Sequence, residues 1–177
     1  MQGDEQMTDP LNPDDRITLR LMEDTRADYE LMRQWFLEPE LQEWVWCDEK
    51  GEPPVTIERV MKKYGPRVKN PIDVFPYFIL RDDEPIGYIQ YYIQDNITMG
   101  IDMWVGILKE RNNGYGTKAL KQMVEIIHKK YPYVKQVIID PDIENKRAIK
   151  CYQKAGFKHF GEMVDNSVIL KICFEDE

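Results

Sequence analysis

Gly114 and Gly116 stand one residue apart in ERNNGYGTKAL (110–120), immediately ahead of a stretch that reads as a helix. Glycine there costs about 1 kcal/mol per residue relative to alanine. Access offsets that cost. A helix N-terminus presents unpaired N–H groups at the positive end of its dipole, and a missing Cβ lets the oxygens of an anion reach the backbone. Taken alone, the pair also fits a plain tight turn. The full GxGxxG fingerprint is missing, because Ala119 and Leu120 stand where a third glycine would fall, and no Gly-Lys-Ser/Thr follows. Asp102 is the second chemical candidate. It sits in the apolar strand-like run GIDMWVGI (100–107), and a carboxylate partly buried there has its pKa raised toward that of a base near neutrality. Its bland alternative is a strand aspartate turned to solvent.

The elements that must position these groups follow from periodicity. RITLRLM (16–22) alternates as a first strand, and Leu31, Met32, Trp35 and Phe36 form one helical stripe capped by Asp24 or Thr25 and ending before Pro39. A second helix is expected over about 55–65, stopped by Gly65-Pro66. VFPYFILRDDEPIGYIQYYIQ reads as a hairpin turning at Asp82 to Pro85, with Ile86, Tyr88, Gln90 and Tyr92 on one strand face. Leu120, Met123, Val124 and Ile127 give the helix after the glycines its apolar face. VKQVIID is a buried strand ending at Asp140-Pro141. ENKRAIKCYQKAG is a helix with Tyr152 on its apolar face, Asn145 placed as N-cap and Gly156 as the residue after its C-cap. A last hairpin turns at Asp165-Asn166. This order gives an α+β, or mixed α/β, domain.

Composition bounds the function. At 177 residues the chain reads as a loose acidic leader over 1–15 and a single domain over 16–177. No run of 18 apolar residues implies a membrane span, and the start lacks the basic-then-apolar pattern of a signal peptide. Cys47, Cys151 and Cys173 are odd in number and widely spaced, which points to a reducing cytoplasm and to no metal site. His128 and His159 lack nearby ligand partners in sequence. A net charge of −8 argues against nucleic acid as a partner. It would steer a small cationic molecule inward, or serve solubility alone.

RNNGYG fits Arg/Gln-x-x-Gly-x-Gly between a strand and a helix, and DPDIENKRAIKCYQKAGF follows about thirty residues later. Together they resemble the GNAT superfamily of acyl-CoA-dependent N-acetyltransferases. EPIGYIQYYI, GID, GYGTKAL and N-x-RAI-x-CY-x-KAGF narrow the likeness to the aminoglycoside 6′-N-acetyltransferases, from about residue 17 to 172. One departure is IQDNITM between Tyr92 and Gly100, a shorter segment than the loop of many such resistance enzymes.

The resemblance implies a central, mostly antiparallel twisted sheet flanked by helices, with acetyl-CoA in the cleft between splayed strands and no metal. Arg111, Asn112, Asn113, Gly114, Tyr115, Gly116 and Thr117 would cradle the CoA pyrophosphate, and Asn145 would bond the pantetheine arm. Backbone N–H groups of Met103, Trp104 and Val105, in a bulged strand, would polarise the thioester carbonyl. Asp102 would bind and deprotonate the amine, and Tyr152 would donate to the departing sulfur. The absence of a Ser-His-Asp or Cys-His pairing favours direct attack in a ternary complex. A polycationic substrate is expected among Trp44, Gln90, Tyr92, Asp102 and Asp140, with Glu49 and Tyr64 as weaker candidates. The implied activity is acetylation of an aminoglycoside 6′-amine, conferring resistance. The alternatives are acetylation of a siderophore precursor, polyamine or other small amine, or a non-catalytic acyl-CoA-binding module. Cys151 reads as structural, and the oligomeric state stays open.

Overall fold

The computed structural model describes residues 16–46 and 55–174, so the expected leader, Cys47 and Glu49 lie outside the described residues. Strand β1 (Ile17–Leu21) leads into α1 (Arg26–Trp35), whose N-cap is Thr25, accepting from the Asp28 amide. Pro39 opens a short turn, α2 (Pro39–Leu41), because a first helical position has no N–H bond to lose. The chain then widens into a π turn over Gln42–Trp46. Helix α3 runs over Ile57–Lys69 and passes through Pro66 rather than ending at Gly65. Its apolar stripe, Ile57, Val60 and Tyr64, with Val68 packed beside it, anchors the last turn to the core and outweighs the proline's local cost.

Strands β2 (Val74–Arg81), β3 (Glu84–Ile93) and β4 (Thr98–Val105) form the central meander. The β2–β3 turn is tighter than expected: Asp82 and Asp83 take positive φ values of 47° and 71°, and Glu84 already pairs with Arg81. The register shifts between Ile79 and Leu80, and Ile86 is the extra residue on β3. Ile86 therefore packs in the opposite core layer from Tyr88 instead of sharing its face. After a single 3-10 turn (Leu108–Glu110) come α4 (Tyr115–Lys130), β5 (Gln136–Ile139), α5 (Lys146–Lys154), β6 (Lys158–Val164) and β7 (Ser167–Cys173).

The seven strands of the described residues make one sheet in the order β1-β2-β3-β4-β5-β7-β6, antiparallel everywhere except between β4 and β5. One face is covered by α4 and α5 over Ile79, Ile89, Tyr91, Met99 and Ile101. The other is covered by α1 and α3 over Phe78, Leu80, Tyr88 and Trp104. The fold is the mixed α/β architecture expected.

Candidate active site

The single parallel pairing is also the shortest. β4 and β5 pair only through Thr98–Gly100 against Gln136–Ile138, after which β4 continues to Val105 while β5 ends at Ile139. The edge of residues 101–105 that faces away from β3 thus has no strand partner. Pairing with β3 is regular from Val105 to Met99, so the strand is splayed at this point but not bulged against β3.

A cavity of about 290 Å³ opens at the splay, lined by Met103, Trp104, Val105, Arg111, Asn112, Gly114, Tyr115, Gly116, Thr117, Asn145 and Tyr152. Gly114 is the N-cap of α4 in a left-handed conformation, φ 76°, with no side-chain cap and no acidic residue in the first turn. A Cβ on Gly116 would stand 3.1 Å from Met103 Cε. Met103 thus packs closely on Gly116, and the uncapped start of α4 holds bare amide donors. Arg111 is buried; its Nε donates to the Val105 carbonyl at 2.9 Å, its Nη1 pairs with Glu40, and its Nη2 has no partner. Glu40 also pairs with Arg147 on α5. Asn113 turns aside, donating to the Lys109 carbonyl at 3.2 Å, and does not line the cavity. Asn145 accepts from the Ala148 amide at 3.2 Å as the cap of α5 while also lining the cleft.

A second basin of about 340 Å³ lies on the α3 side, lined by Trp44, Lys63, Tyr64, Arg67, Gln90, Asp102, Asp140 and Asp142 among others. Trp44, Val45, Met103, Trp104, Asn145 and Tyr152 belong to both walls, so the two basins meet. Asp102 Oδ2 accepts from Gln90 Nε2 at 2.7 Å. Burial pushes the Asp102 carboxyl pKa up, against the opposing pull of Gln90 and the Arg67 charge. Asp140, at the solvent-exposed end of β5, is also raised, by desolvation and then by the Asp102 charge. Tyr152 is 9% exposed, and burial holds its phenol in the protonated, donating form. Tyr92 does not line the basin: its ring packs on Gly100, where a Cβ would stand 2.0 Å from Tyr92 Cζ.

Tyr64 lines the basin, whereas Trp46 packs on Phe36 in the core. Lys63, Arg67, Asp142 and Glu40 are lining residues that the sequence reading did not single out. Ending α3 at Pro66 removed the helical spacing that places Lys63, Tyr64 and Arg67 together. His128 packs at a tilt against Phe174 with 4.3 Å between ring centroids, and Cys151 Sγ lies 3.6 Å from Thr117 Oγ1.

Two basins sharing a wall, one bare-amide and one rich in carboxylates, suit transfer of a group between two molecules. The chain matches the acetyltransferase (GNAT) domain over residues 24–164 and belongs to that family. It is 34% identical over 162 residues to an aminoglycoside N(6')-acetyltransferase type 1 of Klebsiella pneumoniae, covering 85% of this chain and 78% of the relative. Among solved structures, AAC(6')-Ib in complex with ribostamycin and coenzyme A superposes with a TM-score of 0.77 at 30% identity, covering 90% of this chain and 94% of the other. A spermidine N-acetyltransferase from Vibrio cholerae shares the fold at 12% identity, with a TM-score of 0.68 over 88% of this chain and 92% of the other.

Proposed function

We propose that the protein acetylates the 6′-amine of an aminoglycoside antibiotic from acetyl-CoA, by direct attack in a ternary complex, and so confers resistance. The observation that carries this reading is the half-buried Asp102 carboxylate in a basin that joins the glycine-lined cleft. The 34% identity to an aminoglycoside N(6')-acetyltransferase supports the substrate class.

Acetyl-CoA, when bound, supplies an electrophilic thioester carbonyl and a thiolate leaving group. The residues present fit it: the uncapped start of α4 at Gly114 leaves open backbone donors, and the buried Nη2 of Arg111 is unpartnered. Asn112, Tyr115 and Thr117 complete that cradle, and Asn145 serves the pantetheine arm while capping α5. On the other side, Asp102 binds the ammonium and takes its proton, directly or through one water. The free backbone edge of Met103–Val105 supplies N–H donors for a developing oxyanion. Tyr152, buried and protonated, donates to the departing sulfur. Trp44 offers a ring face to the sugar, Gln90 steadies Asp102, and Asp140 with Asp142 meets further ammonium groups. The acidity of the chain supports a small cationic partner rather than nucleic acid or a membrane surface. No helix among the described residues is long and apolar enough to cross a membrane, and the scattered cysteines fit a cytoplasmic location.

The test is release of free CoA from acetyl-CoA across kanamycin, a 6′-hydroxy analogue, spermidine and lysine. Turnover with kanamycin and none with the 6′-hydroxy analogue is expected. Turnover confined to spermidine or lysine overturns the substrate, and silence throughout overturns catalysis.

A further inference from the structure

Gln90 is 7% exposed, and its amide is hydrogen-bonded at both ends. Its Oε1 accepts from Tyr88 Oη at 2.7 Å and from Arg67 Nη1 at 3.0 Å, while its Nε2 donates to Asp102 Oδ2 at 2.7 Å. A guanidinium only donates and a carboxylate only accepts, whereas a tyrosine hydroxyl does either. Arg67 and Asp102 therefore set the sense of the amide between them. Turned over, Gln90 would put N–H against N–H at Arg67 and oxygen against oxygen at Asp102. The guanidinium is itself held, 4.9 Å from the centroid of the Tyr64 ring.

We propose that Arg67 is a positioning residue for acetyl transfer: through Gln90 it fixes Asp102 by Oδ2 and leaves Oδ1 as the atom that takes the amine's proton. This rests on the reading of Asp102 as the base. An arginine lining a basin for ammonium groups is otherwise misplaced, since its charge opposes the substrate's. Its bond to Gln90 gives it a use that no neutral donor supplies, because it resists both reversal of the amide and protonation of the carboxylate. The groups around Asp102 are Lys63, Tyr64 and Arg67 from α3, Tyr88, Gln90 and Tyr92 from β3, Asp140 and Asp142 after β5, and Tyr152 from α5. Of these, Arg67 is the cation whose charge pulls the Asp102 carboxyl down.

The experiment has two independent readouts on wild type, Arg67→Met, Arg67→Lys, Gln90→Met and the Arg67→Met/Gln90→Met double variant. The first is the Asp102 carboxyl titration by carbon-detected NMR in the free protein, which requires no turnover. The second is the pH profile of kcat/KM with kanamycin. Arg67→Met should raise the Asp102 midpoint, and with it the acidic limb, by about one pH unit, and Arg67→Lys should restore most of that shift. In kcat, Arg67→Met should lose about tenfold, and the double variant should be no slower than Gln90→Met. An unmoved midpoint in folded Arg67→Met overturns the proposal. So do kcat losses that multiply in the double variant. If Arg67→Met does not fold, the Gln90→Met titration decides: an unshifted midpoint there breaks the relay. A moved midpoint in a protein that turns over no amine would sink the transferase reading and keep the Arg67 relay.

Discussion

Asp102 is held against its own charge. Burial raises its pKa above the unfolded value, which for aspartate is about 3.9, so the folded state binds the extra proton in the window between the two. Stability from this group is full below the unfolded pKa and is lost as pH rises through the raised folded pKa. A neutral amide in its place would not titrate. Asp102→Asn should therefore melt higher than wild type at pH 7, with the gain shrinking as pH falls toward about 4, while kcat drops about 10²- to 10⁴-fold and CoA binding persists. Melting curves against pH, beside turnover and CoA titration, check both halves; a variant less stable than wild type at pH 7 would show that Arg67 and Gln90 more than compensate the burial. Asp102 was legible because one carboxylate interrupts an apolar run. Arg67 was not, because a proline one residue earlier looked like the end of a helix, and only tertiary packing of Val68 shows that it continues.

At the scale of elements, local signals located most boundaries. Thr25 as a cap, the turn at Asp165-Asn166 and the left-handed Gly156 after α5 all follow from side-chain and backbone chemistry that needs no partner strand. What lay beyond reach depends on pairing. The register shift that carries Ile86 into the other core layer, and the stop of β4–β5 pairing at Gly100, arise only when strands meet. Asn145 has two tasks at one such junction, capping α5 and facing the cleft. Asn145→Asp keeps a capping oxygen but adds negative charge, so its melting temperature should stay near wild type while KM for acetyl-CoA rises. Asn145→Ala should lose about 1 kcal/mol of stability and the cofactor contact together. Equal KM values for Asn145→Asp and wild type would confine the residue to capping.

For the whole molecule, a net charge of −8 acts on two ligands of opposite sign. It attracts a polycationic amine and repels acetyl-CoA, and both effects fade as the Debye length falls from roughly 30 Å at 0.01 M salt to 8 Å at 0.15 M. Raising salt across that range should increase KM for kanamycin and lower KM for acetyl-CoA. If both constants move the opposite way, local cations such as Lys63, Arg67 and Arg147 govern encounter rather than the overall field.

The shared wall between the basins has a thermodynamic consequence. Trp44, Val45, Met103, Trp104, Asn145 and Tyr152 cannot shift against one ligand without changing the wall that faces the other. Whichever ligand binds second therefore meets side chains that its partner already contacts. Linkage makes the effect reciprocal: whatever factor the first ligand applies to the affinity of the second, the second returns to the first.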